Sequence, residues 1–194
     1  MAQQVQGQFS YQKVQLIKTQ PLGTGSYGAV YKAKCDDLPC AAKILHPTFF
    51  QFNDPGATTV MRRFEQECSF LSAVRHPNIV QYLGSYRDPD TQLPVLLMEL
   101  MDENLTKFLE WSQKPLPYHV QVDLCHNITL ALAYLHSNDI IHRDLSSNNV
   151  LVIGAGNRAK VTDFGMAKLL TSIMPTWLPW PCAPAHWHTC LLSH

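Results

Sequence analysis

The chain has 194 residues, enough for one large domain or two small ones, and 46% of them are hydrophobic, as in an ordinary globular core. Its 15 basic and 15 acidic side chains cancel, so charge does not favour nucleic acid or an anionic membrane as a partner. The polar start lacks the apolar run of a signal peptide, and no later run is long enough to span a bilayer. We therefore expect a soluble, cytoplasmic protein whose six cysteines are reduced and mostly buried.

The first half of the chain is predicted to be rich in strands. Residues 1–10 are polar and Gln-rich, which indicates a flexible lead-in. From residue 12 to 45 the pattern is strand-like, with turns at Gly23–Gly28 and Asp36–Pro39. A helix is predicted from Thr58 to Val74, because apolar residues recur on one helical face.

After this helix, two more strands complete the strand-rich part of the chain, and a mainly helical part is predicted to follow. Strands are predicted at Ile79–Tyr86 and Val95–Leu100, and then helices at Asn104–Trp111 and Tyr118–His136. Short strands and loops follow as far as Lys168. The natural hinge between the two parts lies near Met101–Asn104.

A glycine-rich segment, LGTGSYGAVYKA, contains three glycines with the spacing G-x-G-x-x-G, at Gly23, Gly25 and Gly28. Glycines permit a tight turn and let backbone N–H groups approach phosphate oxygens. The β-branched and aromatic residues that follow predict strand–turn–strand, whereas a dinucleotide-binding fold would continue with a helix. A Walker loop is excluded because no Gly-Lys-Ser/Thr follows.

A lysine on the next predicted strand could face the same loop. In CAAKIL, Ala41, Lys43 and Leu45 share one face of a strand, so a flat ring against Ala41 would place Lys43 near phosphates. Glu67 falls inside the apolar face of the helix, where a buried carboxylate needs a partner, and Lys43 has the right charge. The alternatives are an ordinary surface lysine and a glutamate that reaches water.

The most informative segment is IIHRDLSSNNVLV, followed by VTDFGMAK. Asp144, Asn149 and Asp163 supply two carboxylates and an amide, and oxygen ligands suit Mg²⁺ held together with substrate phosphates. An aspartate beside a hydroxyl nucleophile can also accept its proton. Chance does not readily produce His-Arg-Asp, the following Asn and Asp-Phe-Gly in this order after a glycine loop and a strand lysine.

Taken together, these motifs resemble the eukaryotic-type protein kinase domain, and the segment RHPNIVQYLGSY and the Ser-rich catalytic loop are most similar to the tyrosine-kinase-like group. The resemblance covers about residues 10–168. It implies an α+β, two-lobed fold with a β-rich, ATP-binding N-lobe at 11–101 and part of a helical C-lobe at 102–168. It also implies phosphoryl transfer from ATP, with Mg²⁺, to Ser/Thr or Tyr of an unidentified protein, and neither nucleic acid nor membrane as a partner.

The resemblance assigns roles residue by residue. Asp144 would be the catalytic base, supported by Lys43 and Asn149, while Asn149 and Asp163 would bind Mg²⁺. The residues that would enclose ATP are Leu22, Gly23, Gly25, Gly28, Val30, Ala41, Lys43, Glu67, Met98, Glu99, Met101 and Leu151. A hydrophobic stack joining the lobes would consist of Leu71, Tyr82, His142 and Phe164.

One departure from the family pattern lies inside the catalytic loop. Serine/threonine kinases usually carry Lys two residues after the catalytic Asp, and tyrosine kinases usually carry Arg there or two residues later, whereas this chain has Ser146 and Asn148. Stabilisation of the transferring phosphate is therefore in doubt. The alternative function is a non-catalytic, ATP-binding, pseudokinase-like module that pairs with another kinase domain.

Residues 169–194 differ from everything before them, since Lys168 is the last charged residue and three of the four Trp follow it. Three interpretations stay open: a metal site at Cys182, His186, His188 and Cys190, a Trp-rich surface for a membrane or partner, and a shifted reading frame. A shifted frame can encode a Gly-Thr-x-x-Tyr-Met-like string that the family carries there. Under each of these interpretations the activation segment and the rest of the C-lobe that the resemblance implies are missing from the 194 residues, so we expect little or no kinase activity and an exposed apolar surface.

Overall fold

The computed structural model describes residues 13–50, 56–112, 115–154 and 158–170. The predicted lead-in at 1–10 and almost all of the 169–194 tail, including its candidate metal ligands, lie outside these residues. Within them, no helix combines the length and the apolar character that crossing a bilayer requires.

A five-stranded antiparallel sheet dominates the first half, in the spatial order β1-β2-β3-β5-β4. Its strands are β1 (Val14–Thr24), β2 (Gly28–Cys35), β3 (Leu38–Leu45), β4 (Tyr82–Arg87) and β5 (Pro94–Glu99). β1 and β2 are joined through the glycine-rich segment, as the strand–turn–strand pattern predicts.

The two faces of the sheet bury different clusters because side chains alternate along a strand. On β3, Leu45 belongs to the larger core, whereas Ala42 and Ile44 belong to a separate cluster on the opposite face. The turn before β3 has two residues, Asp36 and Asp37, with φ angles of 48° and 69°. Two positive φ values are what a two-residue turn that follows the strand twist requires, and they fix the β2–β3 register.

Helix α1 (Ala57–Ala73) packs against the large core, and a short 3-10 helix (Pro47–Phe50) precedes it in the chain. The predicted apolar face is confirmed, because Val60, Phe64 and Leu71 are all buried, with Val74 immediately after the helix. Glu67 lies on this buried face as well.

In the second half, the residues that the structure describes form two helices and two small sheets. The elements are β6 (Glu103–Asn104), α2 (Leu105–Trp111), α3 (Tyr118–Ser137), β7 (Ile140–Ile141), a 3-10 turn (Ser147–Asn149), β8 (Val150–Ile153), β9 (Arg158–Val161) and β10 (Lys168–Leu169). The spatial orders are β6-β8-β9 and β10-β7. The side chain of Asn104 accepts a hydrogen bond from the Lys107 N–H at 2.8 Å and so caps α2.

Two expectations need correction. The strand predicted at Ile79–Tyr86 begins three residues later, at Tyr82, because Ile79 forms an isolated parallel bridge with Val161 instead. The four described cysteines are free as predicted, but Cys125 is exposed and only Cys35 and Cys40 are buried.

Candidate active site

Lys43 lies between two carboxylates. Its Nζ is 2.6 Å from Oε2 of Glu67 on α1 and 3.6 Å from Oδ1 of Asp163. The Lys43 and Glu67 side chains are only 18% and 4% exposed, whereas Asp163 is 41% exposed. The ion pair predicted from the position of Glu67 in the helix is therefore present, and both alternatives, a surface lysine and a hydrated glutamate, are excluded.

Burial and charge act in opposite directions on this pair. Burial alone would lower the pKa of Lys43, but the carboxylates of Glu67 and Asp163 outweigh it, so the pKa of Lys43 is raised. Burial raises the pKa of Glu67, and the Lys43 ammonium offsets that rise only in part. The lysine thus stays charged and points its ammonium towards the more exposed Asp163, where a phosphate group could approach.

The three glycines of the loop differ in how strongly the fold requires a residue without a side chain. A Cβ on Gly28 would lie 2.3 Å from the Ile44 carbonyl oxygen, so Gly28 is required by the packing of β2 on β3. A Cβ on Gly23 would meet nothing within 4 Å. Gly25 donates its N–H to the Gly28 carbonyl at 2.9 Å, which closes the turn. The fold itself therefore demands only Gly28, and space at Gly23 is left for a ligand.

Contacts from two neighbouring elements hold the tip of the loop. The guanidinium of Arg63 on α1 donates to the Tyr27 hydroxyl and lies 4.9 Å from the centre of the Tyr27 ring. Phe49 packs against the same ring, with centroids 6.2 Å apart, and the His46 ring hydrogen-bonds the Gly25 carbonyl at 3.1 Å. The loop and α1 are thus coupled directly.

Strand register gathers the residues that the resemblance assigns to the adenine site. In the five-stranded sheet, Gly23 lies opposite Val30, Val30 opposite Lys43, and Ala41 opposite Met98. Met98 and Met101 belong to the large core, and Leu151 from β8 packs against that core from the second half of the chain. Leu22 is half-buried beside Gly23 on β1.

The side chain of Glu99 makes two contacts that were not predicted from the sequence. Its Oε1 accepts from Lys160 Nζ at 2.6 Å and from the Gln81 backbone N–H at 2.7 Å. It therefore ties the end of β5 to β9 and braces the connection between the two halves, while its backbone remains the group assigned to adenine.

The β8–β9 hairpin brings the polar candidates together. Val150 lies opposite Val161, so Asn149, just before β8, and Asp163, just after β9, lie at the same end. The Thr162 N–H donates to the Asn149 carbonyl at 3.0 Å, which closes that end. The Asn149 amide nitrogen donates to the Asp144 carbonyl at 2.8 Å and to the Asp144 carboxylate Oδ2 at 3.0 Å.

These contacts decide which atoms suit a metal. Because the Asn149 nitrogen is engaged by Asp144, its amide oxygen is the ligand on offer, and Asp163 adds a carboxylate. Among the described residues, no group of three or more His, Cys, Asp and Glu side chains is arranged to hold a metal. Two oxygen donors fit Mg²⁺, which keeps several waters and is completed by substrate phosphates.

Two residues of this site have unusual backbone angles. Arg143 and Asp163 have φ angles of 69° and 63°, which are uncommon for residues with a side chain. Asp163 Oδ1 also accepts from the Gly165 N–H at 3.3 Å, and a Cβ on Gly165 would lie 3.3 Å from that oxygen. The turn that aims Asp163 at Lys43 is therefore tightly constrained.

The four residues of the predicted hydrophobic stack are all buried: Leu71, Tyr82, His142 and Phe164. The rings of His142 and Phe164 meet edge to face at 5.0 Å. His142 Nδ1 accepts from the Asp144 N–H at 3.3 Å and Nε2 lies 2.9 Å from the Thr162 carbonyl, so a neutral ring protonated on Nε2 satisfies both. His142 thus links the loop of Asp144 to the segment of Asp163.

Further contacts across the site were not foreseen because they join residues far apart in sequence. Lys107 on α2 donates to the Leu22 carbonyl at 3.0 Å and so joins α2 to β1. A cavity of about 530 Å³ is lined by both of these residues, and Leu22 is the assigned adenine residue among those that line it. Gln66 on α1 donates to the Ala167 carbonyl and so ties the helix to the segment after Asp-Phe-Gly.

Comparison with known proteins agrees with this geometry. The family model described as "Protein kinase domain" matches residues 16–178, which extends ten residues past Lys168. The chain is 32% identical over 164 residues to the probable serine/threonine-protein kinase kinY of Dictyostelium discoideum. This match covers 77% of this chain and 27% of that protein.

Two further relatives carry related names. The dual specificity protein kinase shkC of Dictyostelium discoideum is 31% identical over 151 residues, covering 76% of this chain and 28% of the relative. Mitogen-activated protein kinase kinase kinase 5 of Arabidopsis thaliana is 33% identical over 150 residues, covering 77% of this chain and 20% of the relative. The chain thus spans between a fifth and just over a quarter of the length of these relatives. Since the family model covers most of the sequence, the chain belongs to the protein kinase domain family.

Proposed function

We propose that this protein is a kinase that binds ATP·Mg²⁺ and transfers the γ-phosphoryl group to a serine or threonine hydroxyl of a protein, and that residues 1–194 on their own transfer it only at a low rate. The observation that carries the proposal is the position of Lys43, paired with Glu67 at 2.6 Å and facing Asp163 at 3.6 Å. This arrangement presents one cation and one metal-binding carboxylate to the same space. A relative named as a probable serine/threonine-protein kinase supports the Ser/Thr acceptor. The proposed place in the tyrosine-kinase-like group rests on the segment RHPNIVQYLGSY and the Ser-rich catalytic loop.

In this proposal each residue has a defined task. Lys43 binds the phosphates of ATP, and Gly23 leaves room for them beneath the loop. Asn149 and Asp163 hold Mg²⁺, which when bound neutralises charge on the phosphate oxygens. The Asp144 carboxylate, oriented by Asn149, accepts the proton of the acceptor hydroxyl. The hydroxyl oxygen bonds to the γ-phosphorus while the bond from that phosphorus to the β,γ-bridging oxygen breaks, and ADP leaves.

Adenine binding follows from the same sheet. Leu22, Val30 and Ala41 cover the base from the strands, and Leu151 supports it from β8. Met98 limits the depth of the site, and the backbone of Glu99 and Met101 hydrogen-bonds the base. The bracing of Glu99 by Lys160 and Gln81 supports this assignment, because it fixes the backbone that would pair with adenine.

A second function deserves a test because the catalytic loop carries no cation at Ser146 or Asn148. The Asn148 Oδ1 instead accepts from Asn104 at 3.4 Å, and the Ser147 hydroxyl bonds Thr106 at 2.7 Å. With no positive charge there to stabilise the transferring phosphate, transfer would be slow and the protein would act as an ATP-binding module. Its partner would be another kinase domain.

The test separates binding from transfer. The 194-residue chain is incubated with radiolabelled ATP·Mg²⁺ and a generic protein acceptor, and ATP binding is measured in parallel by thermal shift. Incorporation that is lost in Asp144→Asn supports the kinase, whereas a thermal shift without incorporation supports the binding module. Absence of both overturns the two proposals together.

We also propose that the protein is cytoplasmic. The support is that Cys35, Cys40, Cys68 and Cys125 are free thiols, as expected in a reducing compartment. Fractionation of cells producing a tagged chain tests this, and recovery in the secreted fraction would contradict it.

A further inference from the structure

Two buried thiols outside the candidate active site lie in direct contact. Cys35 ends β2 and Cys40 lies near the start of β3, and each is only 1% exposed. Their Sγ atoms are 2.7 Å apart and share a hydrogen bond in which either sulfur can be the donor. No step of the proposed phosphoryl transfer uses them.

The fold, and not chance proximity, holds these sulfurs together. Ala33 lies opposite Cys40 and Cys35 lies opposite Leu38, so the two cysteines are diagonal neighbours on one face of the hairpin. The turn of Asp36 and Asp37 fixes that register. The turn is itself held to the start of β1 by the Lys13 N–H, which donates to Asp36 Oδ1 at 2.7 Å, and by the Asp36 N–H, which donates to the Lys13 carbonyl at 2.9 Å.

The shared hydrogen bond makes the two thiols chemically different. Hydrogen bonding from Cys40 lowers the pKa of Cys35, and this effect outweighs burial and the nearby Asp36 carboxylate. Its bond to Cys35 and its burial raise the pKa of Cys40. Because the thiolate is the nucleophilic form, Cys35 is suited to attack and Cys40, which keeps its proton, to resolve.

We propose that Cys35 and Cys40 form a reversible disulfide when the protein meets a hydroperoxide. The Cys35 thiolate attacks one peroxide oxygen, the O–O bond breaks, and a sulfenic acid and one water form after protonation. The Cys40 sulfur then attacks the Cys35 sulfur, the S–O bond breaks, and the hydroxyl leaves as a second water with the Cys40 proton. Two thiols lose two electrons in total and hydrogen peroxide is reduced to two waters.

Entry and reversal both have a physical route. The pair lies next to the end of the hairpin, where Leu38, opposite Cys35, is 66% exposed, and hydrogen peroxide is scarcely larger than water. A dithiol reverses the reaction by thiol–disulfide exchange. Cys40 directly precedes Ala41 and lies opposite Glu99, so the disulfide would form beside the strand assigned to the nucleotide, although the proposal does not depend on nucleotide binding.

Disulfide formation can be measured on a single tryptic peptide. Trypsin cuts after Lys34 and Lys43, and the peptide Cys35–Lys43 contains both thiols and no other cysteine. The folded chain is treated with dilute hydrogen peroxide and then unfolded in urea, where iodoacetamide can alkylate the remaining buried thiols. The digest is analysed by mass spectrometry. We expect this peptide to lose the mass of two hydrogens and take no label, and to take two labels after dithiothreitol.

The other two described cysteines serve as internal controls. The peptides carrying the half-buried Cys68 and the exposed Cys125 report general thiol oxidation. If Cys125 is oxidised while Cys35–Lys43 still takes two labels, the proposal is overturned. It is also overturned if the disulfide forms as fast in urea as in the folded chain, because the fold then contributes nothing.

A single substitution tests the order of attack. In Cys35→Ser, Cys40 has lost its nucleophilic partner and should remain available for alkylation after the same peroxide treatment. Oxidation of Cys40 in this variant at the original rate would show that attack does not begin at Cys35 and would contradict the mechanism.

Discussion

Replacing Lys43 by Met should destabilise the fold by stranding the buried carboxylate of Glu67. The Met side chain fills much of the same space, so the main loss is the ammonium 2.6 Å from Glu67 Oε2. Asp163 also loses a neighbour, but it is 41% exposed and water can replace the contact. Removing one partner of a buried ion pair typically costs about 3–5 kcal/mol.

Protonation of Glu67 sets an upper limit on that cost. A carboxylate with an ordinary pKa of about 4.3 can be neutralised at pH 7 for about 3.7 kcal/mol, and at pH 5 for about 1 kcal/mol. Burial already raises the folded pKa of Glu67, and in the variant no Lys43 ammonium offsets that rise, so the stability of the variant is lost as pH rises. We therefore expect Lys43→Met to lose about 2–4 kcal/mol at pH 7 and about 1 kcal/mol or less at pH 5.

Urea unfolding of the native chain and Lys43→Met at both pH values measures these differences. The matched control is the double variant Lys43→Met/Glu67→Gln, which removes the stranded charge and should recover most of the loss at pH 7. An equal loss at pH 5 and pH 7, together with no recovery in the double variant, would refute the reasoning, because the loss would then come from packing.

Two further predictions concern positions outside that ion pair. Gly28→Ala should lower the free energy of unfolding by about 1–3 kcal/mol, because the new Cβ would lie 2.3 Å from the Ile44 carbonyl oxygen. Gly23→Ala should leave the free energy of unfolding in urea almost unchanged, and equal losses in the two variants would contradict this. Burial alone would raise the pKa of Asp88, but hydrogen bonds from backbone N–H groups and the charge of Lys18 lower it overall. The ionised Asp88 therefore stabilises the fold at pH values above its unfolded pKa, and this stabilisation is lost as pH falls through the lowered pKa of the folded state. Asp88→Asn should therefore be less stable near neutrality and lose less stability between about pH 5 and pH 2, as followed by acid titration of circular dichroism; an unchanged acid transition would refute this.

The sequence predicted those parts of the fold that depend on local patterns. The apolar face of α1 has a helical period, so its bounds were predicted to within one residue and the burial of Glu67 followed. The two Asp residues before Leu38 are a turn signal, and the structure has a two-residue turn there. The assignment of Ile79 to the next strand was wrong, because an apolar residue before a strand has the same local pattern as one within it.

The braces around the site were not predictable for a different reason. Lys160 and Glu99 are 61 residues apart, and only the tertiary fold brings β9 against the end of β5. The contact of Cys35 with Cys40 depends on strand register, which a difference of one residue in the turn would change. Such contacts follow from the assembled sheet and have no periodic signal.

The most direct test of the account is a calorimetric titration of the chain with ATP, with and without Mg²⁺, alongside Asp163→Asn. The account predicts that Mg²⁺ strengthens ATP binding to the native chain and that Asp163→Asn loses most of this strengthening, because an amide replaces the metal-binding carboxylate. If ATP does not bind, or if Mg²⁺ strengthens binding equally in both chains, Lys43, Asn149 and Asp163 do not form the nucleotide and metal site proposed here.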